Sequence, residues 1–260
     1  MKYNPHILVR AVQGAAEYLY FTENSKLEED SFSRVVHNYL VRCFGEDRTH
    51  EKSYSPEEWK SINFKDDNVI KSNNRIIDHI VTQKNSNKIS IAIELKFLFG
   101  SHSSEYELTG RQTAVGQTIV QDVFRLMSLK DSLGRGAKRY ILVIGTRNSF
   151  ETVWRSYNSL IEQVLPMEKG FLWSRSYPKK KMKFIESKDQ LPLHHRLRKG
   201  YGIQWYQKML SHFQNGENDL PKEFYSKLIA SNLEDANEDS PITFDARVWE
   251  LRSDNKFRKK

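Results

Sequence analysis

The sequence contains only one cysteine and no long apolar run, and these two features exclude several classes of protein. Because Cys43 has no second cysteine to pair with, an internal disulfide framework and a thiolate zinc site are excluded. No apolar stretch approaches the ~20 residues that cross a bilayer, and MKYNPHILVR does not resemble a secretory signal. We therefore expect a cytoplasmic protein without a membrane partner.

Several familiar catalytic motifs are also missing. The chain has no glycine-rich phosphate loop, no HExxH and no G-x-S-x-G. His194 and His195 have no cysteine or acid at a metal-ligand spacing, so we predict no metal site there. The 260 residues, 38% of them hydrophobic, suffice for one elaborated domain or a domain with an appendage.

The excess positive charge is concentrated in one segment. The formal net charge is +8, and residues 166–200 hold ten Lys or Arg against three Asp or Glu, an excess of seven. Aromatic residues lie among these charges, which suits a phosphate backbone with rings available to stack on bases. The alternative is an ordinary solvated surface. On the first interpretation, nucleic acid is bound by Lys179, Lys180, Lys181, Lys183, Arg196, Arg198 and Lys199.

Hydrophobic periodicity predicts alternating helices and strands. Helical spacing covers residues 5–21, 26–44, 112–129, 148–165, 201–213 and 221–230. Strand patterns cover residues 75–82, 89–99, 139–146 and 242–251. The order predicts an α/β fold with a mixed central sheet flanked by helices. We divide it into a core of residues 1–165 with an N-terminal helix, and a basic, aromatic α+β extension of residues 166–260 that packs on the core.

One strand carries two charges among apolar residues. Side chains alternate between the faces of a strand, so in IAIELKFLF the charges of Glu94 and Lys96 point the same way. Asp78 interrupts the preceding strand, RIIDHIV, in a similar manner. If the two strands form a hairpin through KNSNK, Asp78 lies beside Glu94 on the same face.

Placing these charges in a covered strand is costly, since each buried ion loses several kcal/mol of hydration unless it is paired or bound to metal. Two adjacent carboxylates repel each other, and a divalent cation bound between them makes the arrangement favourable. Oxygen ligands suit Mg²⁺ or Mn²⁺, and the carbonyl of Leu95 is a natural third ligand. Lys96 would orient or deprotonate a water, or stabilise phosphoryl charge. The set predicts phosphodiester hydrolysis.

Two other interpretations compete with the metal site. Glu94 and Lys96 could pair with each other on a solvent-exposed edge, because E-x-K occurs often by chance. Alternatively, the protein could be a structural α/β protein in which Asp78 lies far from Glu94. His79 projects to the face opposite Asp78 and is expected to be a core histidine.

The succession of a helix, a weak strand, a strand with Asp78, a strand with Glu94-x-Lys96, a helix and a strand resembles the PD-(D/E)XK nuclease superfamily. The resemblance covers about residues 26–147. It implies a restriction endonuclease-like αβββαβ core, with Asp78 and Glu94 as metal ligands and Lys96 as the catalytic lysine. One departure is that Ile77 stands where the motif has proline.

The resemblance also implies two accessory residues. Members frequently add a glutamate on the first core helix, where Glu28 and Glu29 compete and Glu29 is slightly preferred. An acid favourable to the helix dipole is the alternative for both. Many members place a glutamine on the helix after E-x-K, where Gln117 is preferred over Gln121, one turn later. A solvated helix surface is the alternative for Gln117.

The function implied is a Mg²⁺- or Mn²⁺-dependent nuclease, most simply a DNA endonuclease of the restriction or phage-defence type acting on double-stranded DNA. A repair or recombination nuclease of the same fold fits nearly as well. A nucleic-acid-binding protein that keeps the fold without catalysis is the alternative from another class. Restriction-like members commonly dimerise, so a homodimer is implied by analogy.

Overall fold

The computed structural model describes residues 1–23, 29–56, 76–98, 108–146, 149–150, 153–154, 161–165, 171–174, 183–184, 223–231 and 244–253. The helices are α1 (Pro5–Glu23), α2 (Glu29–Phe44), α3 (Leu108–Ser128) and the single turn α4 (Ile161–Val164), with a 3₁₀ turn at Glu46–Arg48. The strands are β1 (Thr49–Tyr54), β2 (Ile77–Thr82), β3 (Ile89–Phe97), β4 (Leu133–Thr146), β5 (Phe171–Ser174), β6 (Lys183–Phe184), β7 (Glu223–Ser231) and β8 (Phe244–Arg252).

The described strands form one mixed sheet in the order β1-β2-β3-β4-β8-β7-β5-β6. All neighbouring strands are antiparallel except β3 and β4, which run parallel. A parallel pair needs a crossover connection, and α3 supplies it between β3 and β4. The predicted α/β class with a mixed sheet and flanking helices is confirmed.

Helices cover both faces of the sheet, and each face has its own hydrophobic core. On one face α1 and α2 pack on residues such as Val81, Ile93 and Leu142. On the other face α3 and α4 pack on residues such as Ile80, Ile141 and Trp249. Since β3 and β4 lie beneath both layers, their side chains are buried on both sides, which explains the nearly continuous apolar runs in their sequences.

Most predicted elements are confirmed with small shifts of boundary. The polar region after α2 contains β1, at the place of the weak strand that was predicted there without bounds. The predicted helix at 221–230 is wrong, because Glu223–Ser231 is the strand β7. β7 is hydrogen-bonded to β8 on one side and to β5 on the other, and this pairing with distant segments outweighs a local pattern that also fits a helix.

The C-terminal segment contributes to the same sheet as residues 1–165. β8 pairs along its length with β4, from Arg139↔Leu251 to Thr146↔Phe244. The predicted helix at 201–213 lies outside the described residues. No helix in the described parts of the chain is both long and apolar enough to cross a membrane.

Gly145 lies where β4 comes close to the end of β3. A Cβ at this position would lie 2.7 Å from the Cβ of Leu98, whose N–H donates to the Ile144 carbonyl at 2.8 Å. We expect Gly145→Ala to lower the free energy of unfolding by about 1–3 kcal/mol, because the core cannot absorb the added methyl group. Urea unfolding measures this change.

The matched control is Gly14→Ala. An added Cβ on this glycine of α1 meets no atom within 4 Å, and alanine is favoured over glycine inside a helix by roughly 0.5–1 kcal/mol. Gly14→Ala should therefore leave stability unchanged or raise it. Equal losses in the two variants would contradict the packing at Gly145.

Candidate active site

Asp78 and Glu94 lie side by side on neighbouring strands. The antiparallel pairing of His79 with Ile93, continued by one residue, sets Asp78 across from Glu94. The N–H of Leu95, the residue after Glu94, donates to Asp78 Oδ2 at 2.8 Å. The hairpin register therefore brings the two acids together, as the sequence predicted.

β3 is an internal strand, and Glu94 is 1% exposed. These two facts contradict the alternative of an exposed-edge pair between Glu94 and Lys96. Glu94 instead faces Arg125 of α3, with 3.7 Å between Glu94 Oε1 and the guanidinium. The separation of Asp78 from Glu94 expected for a chance E-x-K is contradicted as well.

Lys96 places its ammonium among four oxygen atoms. Its Nζ donates to the Leu95 carbonyl at 2.9 Å and lies 3.2 Å from Asp122 Oδ2. Asp78 Oδ2 and Glu29 Oε1 are each 3.8 Å from it. The side chain is only 15% exposed, so these ion pairs lie in a partly desolvated site where charges interact more strongly than in water.

Glu29 reaches this cluster from the first residue of α2. Lys52 lies in a bulged part of β1 with a left-handed backbone (φ +44°), and its ammonium forms an ion pair with Asp30. This contact joins β1 to the start of α2. The structure thus places Glu29 as predicted, whereas its competitor Glu28 lies outside the described residues.

Two residues of α3 complete the cluster, and the sequence interpretation did not identify either. Arg125 donates to Asp122 Oδ1 at 2.6 Å and to the Ile76 carbonyl at 3.0 Å. Both side chains are almost fully buried. Asp122 and Arg125 are three residues apart and lie between the apolar positions Ile119, Val123 and Leu126. The sequence feature that could have identified them is a pair of charged residues one turn apart on the core-facing side of a helix.

Gln117 lies on α3, the helix on which it was predicted. It is half-buried and takes part in none of the hydrogen bonds or ion pairs of the described cluster. Gln121, one turn later, is buried, and its Nε2 has no hydrogen-bond partner in the described part of the molecule. The two α3 side chains that do reach the cluster are Asp122 and Arg125.

The electrostatics of the cluster leave an excess of negative charge. Four carboxylates, those of Glu29, Asp78, Glu94 and Asp122, surround two cations, Lys96 and Arg125. Burial, followed by the charge of Asp78, raises the pKa of Glu94 well above its ordinary value. Burial also raises the pKa of Glu29. Without an added cation, both shifts favour the uncharged carboxyl form.

For Asp78 and Lys96, in contrast, the neighbouring groups shift the pKa so that the charged form is favoured. Burial works against the charged form of Asp78, but Lys96 and the Leu95 N–H lower its pKa below the ordinary value. Burial also opposes the charge of Lys96, yet its carboxylate neighbours, Asp122 foremost, raise its pKa. We infer that Asp78 is ionised and Lys96 is an ammonium at neutral pH.

The donor set fits a hard divalent cation. Within the described ranges, no three Asp, Glu, His or Cys side chains are arranged to hold a metal ion by themselves. Mg²⁺, however, commonly keeps several waters and takes only one or two carboxylates from the protein. Asp78, Glu94 and the Leu95 carbonyl would supply such a set. Glu94 Oε1 is buried without a hydrogen-bond partner among the described residues, which suits a ligand atom.

The predicted nucleic-acid contacts fall almost entirely on residues that the structure does not describe. Lys183 begins the two-residue strand β6, and only its backbone is described. The other six positions lie outside the described residues, as do His194 and His195. The basic segment therefore stays a prediction.

His79 occupies the opposite face of β2 and is a core histidine, as expected. It is fully buried, and its Nε2 lies 3.1 Å from Ser33 Oγ of α2. Burial lowers its pKa from 6.5 to about 4, so the ring is neutral at physiological pH.

This low pKa predicts a stability loss in mild acid. Below pH 6.5 the unfolded chain binds a proton at His79, whereas the folded protein binds one only near pH 4. We expect about 3 kcal/mol of stability to be lost through His79 between those values. Urea unfolding of wild type and His79→Gln as a function of pH isolates this contribution. Parallel curves for the two proteins would contradict a buried neutral imidazole.

Comparison with known proteins adds no relative: no protein-family model, no curated protein and no solved structure matches this chain. Functional inference therefore depends on the geometry of the cluster formed by Glu29, Asp78, Glu94, Lys96, Asp122 and Arg125.

Proposed function

We propose that this protein is a metal-dependent nuclease that hydrolyses phosphodiester bonds. The observation that carries the proposal is that Asp78 and the Leu95 carbonyl both lie at the Lys96 ammonium, with Glu94 directly across the hairpin from Asp78. The site lies towards the C-terminal ends of the parallel pair β3 and β4, where open α/β sheets often bind ligands. The proposal includes the restriction endonuclease-like character of the core.

Each residue of the site has a distinct role in this chemistry. A bound Mg²⁺ or Mn²⁺ supplies a Lewis acid that stabilises charge on the phosphate. Asp78 and Glu94 would hold the cation with the Leu95 carbonyl. Lys96 would orient or deprotonate the attacking water, or stabilise developing negative charge on the phosphate.

DNA is the proposed substrate, and the activity is that of an endonuclease of the restriction or phage-defence type. The ten basic residues of segment 166–200 would grip the phosphate backbone. Glu29 lies 3.8 Å from the Lys96 ammonium. Its side chain is more exposed than those of Glu94 and Asp122. Glu29 is therefore a further carboxylate available at the entrance of the site.

Removal of the central charges should abolish cleavage while preserving DNA binding. We expect Asp78→Asn, Glu94→Gln and Lys96→Met each to lower the rate of Mg²⁺-dependent DNA cleavage by at least about 100-fold, because each removes stabilisation of transition-state charge. Plasmid, linear, single-stranded and branched DNA are the substrates, and gel-shift titration measures binding separately.

Lys88→Met is the matched control. Lys88 also lies next to an end of β3, but its ammonium contacts the Asp131 carbonyl at the opposite end of the strand. This variant should cut DNA at the wild-type rate. If wild-type protein binds DNA but leaves every substrate intact with Mg²⁺ or Mn²⁺, the nuclease proposal fails and a non-catalytic DNA-binding protein takes its place.

The basic segment predicts a salt-dependent affinity. Lys179→Ala/Lys180→Ala/Lys181→Ala should weaken binding to all DNA sequences about equally, because interactions with phosphate carry no sequence information. The slope of log affinity against log salt should become smaller by roughly 0.9 for each phosphate that the variant no longer neutralises. Fluorescence anisotropy at several salt concentrations measures both quantities. An unchanged slope would assign these lysines to a surface that DNA does not touch.

A further inference from the structure

The Lys96 ammonium contacts the oxygen atoms that the proposed cation would need as ligands. It donates a hydrogen bond to the Leu95 carbonyl at 2.9 Å and lies 3.8 Å from Asp78 Oδ2. Both oxygens belong to the proposed metal-binding set. In this arrangement a single positive charge from the chain itself partly neutralises the acids that a divalent cation would neutralise more fully.

An ammonium and a divalent cation cannot share these oxygens. Magnesium binds oxygen at roughly 2.0–2.1 Å, so a cation on Asp78 and the Leu95 carbonyl would stand next to Lys96 Nζ in its present place. Like charges at such a distance repel strongly in a site of low dielectric. A metal ion bound there would therefore repel the Lys96 ammonium from the carbonyl.

Asp122 is the acceptor best placed to receive the ammonium. It is the nearest carboxylate, with Oδ2 at 3.2 Å from Lys96 Nζ, and its side chain is 1% exposed. Arg125 binds the other oxygen, Oδ1, at 2.6 Å and fixes the carboxylate against α3. Asp122 is thus held on the helix side of the site, whereas Asp78 lies on the strand side.

We propose that Lys96 is an internal competitor of the metal ion and that Asp122 is the positioning residue that retains the ammonium when the metal ion displaces it. This inference rests on the proposed nuclease function and adds a regulatory property to the same site. Asp122 determines how readily the Leu95 carbonyl and Asp78 become available to a divalent cation.

A double-mutant cycle on metal affinity tests the proposal without reference to cleavage. Titration with Mn²⁺ alone, followed by electron paramagnetic resonance of the free ion, gives the affinity of wild type, Lys96→Met, Asp122→Asn and the double variant. Lys96→Met should bind Mn²⁺ about tenfold more tightly, because the competing charge is gone. Asp122→Asn should bind it several-fold more weakly, because the ammonium then stays on Asp78 and the Leu95 carbonyl.

The double variant distinguishes positioning through Lys96 from a direct effect of the Asp122 charge. In the Lys96→Met background, Asp122→Asn should change Mn²⁺ affinity by less than about twofold. An equal loss in both backgrounds would overturn the role of Asp122, and unchanged or weaker binding by Lys96→Met would overturn the competition. Thermal unfolding verifies that each variant is folded. Asp122→Glu, which displaces the carboxylate but keeps its charge, replaces Asp122→Asn in the cycle should that variant not fold.

Failure of this inference is distinguishable from failure of the proposed function. If wild-type protein binds no Mn²⁺ and cuts no DNA, both are wrong. If wild-type protein binds Mn²⁺ and cuts DNA but the cycle is additive, the nuclease proposal stands and only the role of Asp122 in positioning Lys96 is rejected.

Discussion

The antiparallel register between β2 and β3 is the constraint on which the candidate site depends. A shift of one residue would send Asp78 to the face that His79 now occupies. The apolar residues on both sides, such as Ile80 and Ile93, are fully buried and would be moved to the wrong cores by the same shift. The Leu95 N–H that binds Asp78 adds a polar contact specific to this register. Packing of the two cores therefore also fixes the distance between the acids.

Burial of the charged cluster is costly unless every charge has a partner. Arg125 and Lys96 each contact two or more of the carboxylates, which offsets much of the loss of hydration. The pairing remains incomplete, because four acids surround two bases. Burial, and after it the charge of Asp78, raises the pKa of Glu94. A site whose geometry is fixed by packing but whose charge is unbalanced is suited to a ligand that brings positive charge.

The site could be predicted from the sequence where short-range rules governed it. Alternation along β3 places Glu94 and Lys96 on one face, and the short hairpin loop brings Asp78 opposite Glu94, so two local rules sufficed. Asp122 and Arg125 were missed because a helix with charged residues near its apolar stripe resembles an ordinary amphipathic helix. Their burial depends on how α3 packs on the sheet, which no local pattern specifies.

The fold shows the same limit. The central strands β3 and β4 were predicted because both faces of each are covered, which leaves long apolar runs. The segment 223–231 was assigned to a helix, although β8 and β5 hold it as a strand. Its partners are distant in sequence, so strand pairing rather than local propensity decides its conformation. The choice between Glu28 and Glu29 likewise depends on where α2 begins.

The pairing of β4 with β8 has a consequence for synthesis of the chain. β4 is complete at Thr146, but one of its edges is covered only by residues 244–252. A nascent chain therefore presents an apolar strand with unpaired N–H and C=O groups until β8 leaves the ribosome. Exposed edges of this kind invite pairing with other chains. Productive folding of the half that carries the acids thus waits on a strand made much later, so truncated chains are prone to aggregate.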